Sequence, residues 1–177
     1  MTNAERKRVI EYLESTESTL LATVEKFPAE HFFSDPAAGC WSAAKTLEHI
    51  VFVENRALGR IQGALRQPAD STKKSAMSGR DVELWEGVAR RSQRVDAPAI
   101  LHPAGQQSRE DLSAAFKAAR NTTLTFARST DADLRHYFAE HPLFGELDCY
   151  QWLMLIPSHG ERHRAQIEEC QEKLQTG

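Results

Sequence analysis

The sequence predicts an all-α protein, a four-helix bundle with a long crossover between the second and third helices. Four long stretches repeat apolar residues at three- and four-residue steps, the period of one helix face. No sustained run alternates polar and apolar residues as a half-buried strand would, and no GxGxxG or GxxxxGK phosphate loop is present. Between the second and third periodic stretches, about forty residues from Pro68 to Gln107 keep no sustained period. Such a segment is too long for an ordinary helix connection, so it is expected to cross over the bundle or cover one end.

The first helix opens with Thr2 and Glu5 at capping-box spacing and turns Val9, Leu13, Leu20 and Val24 inward until Phe27-Pro28 stops it. Thr16 interrupts that stripe. Residues 28–40 hold an Asp-Pro step and a glycine and read as a connection. The second helix is capped by Ser42 and is expected to run to about Gln67, with Leu47, Ile50, Val51, Leu58, Ile61 and Leu65 as its main stripe. His49 lies beside the stripe and points inward only if this helix is buried over a wide arc.

Within the crossover, the stretch containing Val82, Leu84, Trp85 and Val88 predicts a short helix, with Trp85 and Ile100 packing outside the bundle or plugging its mouth. The third long helix follows a Ser108/Asp111 cap and carries Leu112, Ala115, Phe116, Ala119, Thr123 and Phe126. Arg120 and Asn121 read as the edge of its polar face, with substrate contacts as the alternative. In the segment from Asp131 to Leu147, Pro142 and Gly145 mark a turn, and Asp148 with Gln151 caps the last helix.

The composition fits one domain over residues 1–177: 41% hydrophobic and 27% charged residues describe an ordinary globular chain. At this length a domain buries roughly 70% of the surface its unfolded chain exposes, enough to enclose polar groups. A net charge of −3 with both signs scattered gives no footprint for nucleic acid, and Arg90, Arg91 and Arg94 read as a solvated loop. With no long apolar run and no signal-peptide pattern, the expected setting is the cytoplasm, away from the membrane. Cys40, Cys149 and Cys170, at unrelated spacings, are expected as free thiols.

The chemistry concentrates on the last helix. Trp152, Ile156, His159, His163, Ile167, Cys170 and Leu174 follow one face, so two imidazoles one turn apart are expected on the buried side. Buried imidazoles are costly unless each nitrogen finds a partner, and a divalent metal satisfies two together. From the residues alone, ligation and a pair of satisfied core histidines stand as alternatives. The spacing HGERH is not the HExxH of a metalloprotease, because Glu161 projects about 200° around the helix from both histidines. Pro157 predicts a kink just before them. His31, His102 and His136 read as surface residues, and His141 is a reserve ligand beside its turn. Glu54 is a candidate partner for His49 or half of a polar pair across the bundle.

The segment CWSAAKTLEHIVFVE followed, about a hundred residues later, by HPLFGELDCYQWLMLIPSHGERHRAQIEE resembles the DinB-like superfamily of metal-binding four-helix bundles over essentially the whole chain. In that family the typical ligands are a histidine on the second helix and an HxxxH pair on the last, which correspond here to His49, His159 and His163. The resemblance implies a divalent metal, often zinc or nickel, a small-molecule substrate and frequent homodimers. Because the superfamily includes transferases that use low-molecular-weight thiols such as bacillithiol or mycothiol, it also implies metal-dependent thiol S-transfer. Metal-dependent hydrolysis is the nearest alternative, and a non-enzymatic stress-response bundle that binds a metal or ligand is the next.

Overall fold

The structure, a computed structural model, describes residues 1–90 and 102–176. Its four long helices are α1 (Asn3–Lys26), α2 (Ala43–Ala64), α4 (Arg109–Ser129) and α5 (Cys149–Thr176), with a short α3 (Asp81–Ala89) in the crossover. Each long helix begins where the sequence supplies a cap. Thr2 and Glu5 form a reciprocal capping box, the Ser42 and Ser108 hydroxyls accept from the N–H groups of Lys45 and Asp111, and Asp148 and Gln151 exchange side-chain to backbone bonds at 2.8 and 3.3 Å. The expected end of α2 at Gln67 is trimmed to Ala64, because the last residues turn out into the crossover.

In the bundle α5 packs against α1 and α2, and α4 packs against the same two from the other side. Among the described residues, α1 and α2 therefore face each other across one diagonal, and α4 and α5 across the other. The short helix α3 lies on the outer side of α5, where Trp85 is buried edge-on to Tyr150 with ring centroids 6.4 Å apart. Trp85 thus belongs to the core rather than to a mouth, while Ile100, Arg91 and Arg94 lie outside the described residues.

The turn expected at Pro142 and Gly145 is present, and it joins two short strands that the sequence did not predict: β1 (Phe138–His141) and β2 (Gly145–Asp148) pair antiparallel, with His141 opposite Gly145. A three-residue connection, Pro142 to Phe144, leads into Gly145 at φ +68°, the left-handed residue that such hairpin loops place after the turn. The Trp152 indole N–H donates to the Ala139 carbonyl at 3.0 Å and fastens this hairpin to α5.

The apolar core has two halves. One gathers Val9 and Leu13 of α1, Ala57 and Ile61 of α2, Leu124 and Ala127 of α4, and Leu153 and Ile156 of α5. The other gathers Leu20 and Val24, Leu47 and Ile50, Leu112 and Phe116, and Ile167 and Cys170 from the same four helices. Between the halves every long helix turns a polar residue inward: Thr16, Glu54, Arg120, and the Ser158 to His163 stretch of α5. Polar groups on all four helices at one height place a hydrophilic layer in mid-bundle, and each must find a partner there.

Candidate metal centre

Half of that layer closes on itself. Arg120, 0% exposed, is gripped by the Glu54 carboxylate at 2.9 Å from Nε and 3.0 Å from Nη2. Its Nη1 donates to the Leu13 carbonyl at 2.6 Å and the Thr16 hydroxyl at 2.8 Å. Arg120 is therefore not the edge of a polar face, whereas its neighbour Asn121 is exposed as expected. Glu54 serves the polar pair across the bundle, not the histidines.

The other half is the histidine cluster. Thr46 through Ile50 are all buried, the wide arc that α2 needs to turn His49 inward toward α5, and His49 is 4% exposed. Its ring centroid lies 5.2 Å from that of His159 and 4.8 Å from that of His163, which are 4.3 Å from each other. One nitrogen from each ring can be chosen so that all lie within 4.8 Å of one another. Metal–nitrogen bonds of about 2.0–2.1 Å bring tetrahedral ligand atoms to about 3.4 Å, so the widest gap closes by small side-chain rotations. His49 and His163 are buried, and His159 keeps part of its surface open, which gives the cluster its access to solvent.

The electrostatics keep the His159 ring neutral. The His159 pKa is held well below the usual histidine value, first by burial and then by His163 and His49, since a proton on one ring would face a proton on the next. At the cluster's edge, the Nδ1 of His163 lies 2.8 Å from the Gln166 side-chain oxygen. Trp41 forms one wall, 4.9 Å from His49, with exposed His102 at its outer edge, 5.9 Å away. The returning crossover is tied down beside the cluster. Gly105, at φ +67°, donates its N–H to Glu48 at 2.6 Å, and a Cβ there would meet Lys45 Cγ at 2.5 Å. Only glycine fits that contact.

The remaining candidates go elsewhere. His141 is in the hairpin, its ring 4.8 Å from Phe144 and 4.9 Å from Trp152, with Nδ1 accepting the Leu143 N–H; it does not join the cluster. Glu161 is held by Arg164 and Thr19 on the side facing α1, consistent with its projection away from the histidines. Cys40, Cys149 and Cys170 are free, and burial pushes the Cys149 thiol up to about 12, so it offers no ready thiolate. Two clefts of about 360 and 380 Å³ open between α1 and α5 and around Arg135, but neither is lined by the histidines. Donor chemistry, not cleft size, identifies the site. Sequence reasoning missed Trp41, Gln166 and the burial of Arg120. Arg120 had a visible signal, since it stands four residues after Phe116 and three before Thr123 on their own stripe.

An all-nitrogen set of three neutral imidazoles suits a divalent transition metal and leaves a coordination position for water or substrate. The residues present fit such an ion. A family model for the DinB superfamily matches residues 12–167, a span that takes in all three histidines. The chain is 26% identical over 145 residues to the uncharacterized protein YuaE of Bacillus subtilis (strain 168), covering 79% of this chain and 83% of that one. Its backbone is similar to that of YfiT from Bacillus subtilis at a TM-score of 0.65 and 16% identity, covering 99% of this chain and 90% of the other. YfiT is described as a probable metal-dependent hydrolase with an unusual four-helix bundle topology. The likeness to YfiT bears on the fold, and the family match over most of the sequence settles kinship: the chain belongs to the DinB superfamily.

Proposed function

We propose that the chain is a metal-dependent hydrolase in which His49, His159 and His163 hold one divalent ion, zinc or nickel, and leave a position open to a small-molecule substrate. The observation that carries this is the convergence of three imidazole rings from α2 and α5, with His159 held neutral and partly open to solvent. When bound, such an ion supplies a Lewis acid and a coordinated water whose pKa falls to about 7. The description of the similarly folded YfiT as a probable metal-dependent hydrolase supports the same reaction class.

The chain's own groups limit what else the site does. Trp41 covers the His49 side and keeps bulk water off that ring. His141 has its Nδ1 occupied by the Leu143 N–H, so its proton sits on Nε2, and burial lowers its pKa to about 4. It is a fixed hydrogen-bond donor near the hairpin, not a general base. Among the described residues, Glu54 is committed to Arg120 and Glu48 accepts the Gly105 N–H, so neither is placed as a general base. An ion held by His49, His159 and His163 would supply the activation of a coordinated water.

Elemental analysis of protein purified without chelator, beside His163→Ala, tests the ligand set; about one ion per chain is expected in the first and background in the second. A panel of esters, amides and phosphoesters, with and without added zinc or nickel, tests the reaction. Thiol S-transfer from a bacillithiol- or mycothiol-type donor would use the same open position, and loss of free thiol without hydrolysis would favour it. Equal metal content in the two proteins would overturn the proposal.

A further inference from the structure

We infer that Gln166 is a positioning residue that selects which nitrogen of His163 is free to coordinate, an inference that rests on the proposed metal site and deepens it. A neutral imidazole carries one proton, and the nitrogen that carries it cannot bind a metal. The Gln166 side-chain oxygen lies 2.8 Å from Nδ1 of His163. An oxygen at that place accepts, so the proton belongs on Nδ1 and the lone pair that a metal would take belongs to Nε2. With the amide reversed, its NH₂ would donate to Nδ1, put the proton on Nε2 and block coordination.

The same molecule contains the opposite arrangement. At His141 the group facing Nδ1 is a donor, the Leu143 N–H at 3.2 Å, so the proton lies on Nε2. His141 stays outside the cluster, and His163, with an acceptor in the equivalent place, stands inside it. Local sequence sets both. Gln166 is three residues after His163 on α5, within reach of the ring, and Leu143 is two residues after His141 in the hairpin turn. The two contacts thus favour opposite tautomers, Nδ1–H at His163 and Nε2–H at His141.

The test compares full-length wild type with Gln166→Met, which keeps length and removes the acceptor, and Gln166→Glu, which restores one. Zinc affinity is read by competition with a chromophoric chelator, and the tautomer of His163 by long-range ¹H–¹⁵N NMR of the metal-free protein. Expected are an Nδ1–H tautomer in wild type, zinc binding weakened about 10–100-fold in Gln166→Met, and affinity regained in Gln166→Glu. Wild-type affinity in Gln166→Met, or an Nε2–H tautomer in the wild type, overturns the inference. If wild type binds no zinc, the metal reading falls by itself, and the NMR measurement still decides what Gln166 does to the ring.

Discussion

The two polar clusters in the middle of the bundle share α2 but are completed differently, one with α1 and α4 and the other with α5. Glu54 and Arg120 bring opposite charges, and Leu13 and Thr16 satisfy the guanidinium further, so that cluster is closed by the protein itself. His49, His159 and His163 bring three groups of one kind, each offering a lone pair when neutral, and their rings turn toward one another. Lone pairs gathered in one place attract a cation. The contrast teaches that burial of polar groups does not mark a site by itself; the marker is a cluster whose members cannot neutralise each other.

Four measurements can break or sharpen this contrast. The largest effect is expected at the closed cluster: Arg120→Met leaves the Glu54 carboxylate buried and alone and should cost about 3–5 kcal/mol in denaturant unfolding of metal-free protein. Glu54→Leu combined with Arg120→Met should recover most of that loss, and a single variant as stable as wild type would mean the pair is not closed. The open cluster should respond to ligand instead. Zinc at a hundred times its dissociation constant should stabilise wild type by about 2.7 kcal/mol, and the same concentration should do nothing for His163→Ala.

A smaller, pH-dependent effect comes from His141, which lies outside both clusters. Its folded pKa is lowered to about 4, whereas the unfolded chain protonates near 6.5. Stability is therefore fully present above pH 6.5, falls as pH drops, and levels off below about 4. The loss should be about 2 kcal/mol after allowance for the ring's open edge, and His141→Phe should flatten this part of the profile in chelator-treated protein. His159 acts in the same direction, and its share remains in the variant. The smallest change is expected for Thr16→Val, which removes one acceptor from Arg120 but leaves Leu13 and Glu54 in place, at about 1 kcal/mol.

Much of this was legible in the sequence, and the reasons differ by residue. The helix starts at Thr2, Ser42, Ser108 and Asp148 could be read because capping is local: the partner lies three residues away. The inward turn of His159 and His163 could be read because Trp152, Ile156 and Ile167 share their stripe. His49 was harder. It lies at the side of its helix's stripe, and only packing against both α4 and α5 buries it. The hairpin escaped because each strand has four residues and the polar Glu140 and Glu146 face each other across it, leaving no apolar alternation to find. Arg120 escaped because a charged residue is ordinarily solvated, and its partner Glu54 is 66 positions away.

The buried ion pair also works as a ruler along the bundle axis. Sliding α4 by one turn, about 5.4 Å, would carry Arg120 away from Glu54 and set a bare charge against leucines and alanines of one apolar half. Apolar side chains alone tolerate such slips far better, since one leucine row fits another nearly as well. The same bridge joins α4 to α2, the helix that also carries His49, so a charge pair with no part in coordination helps to set the height at which that ring meets α5.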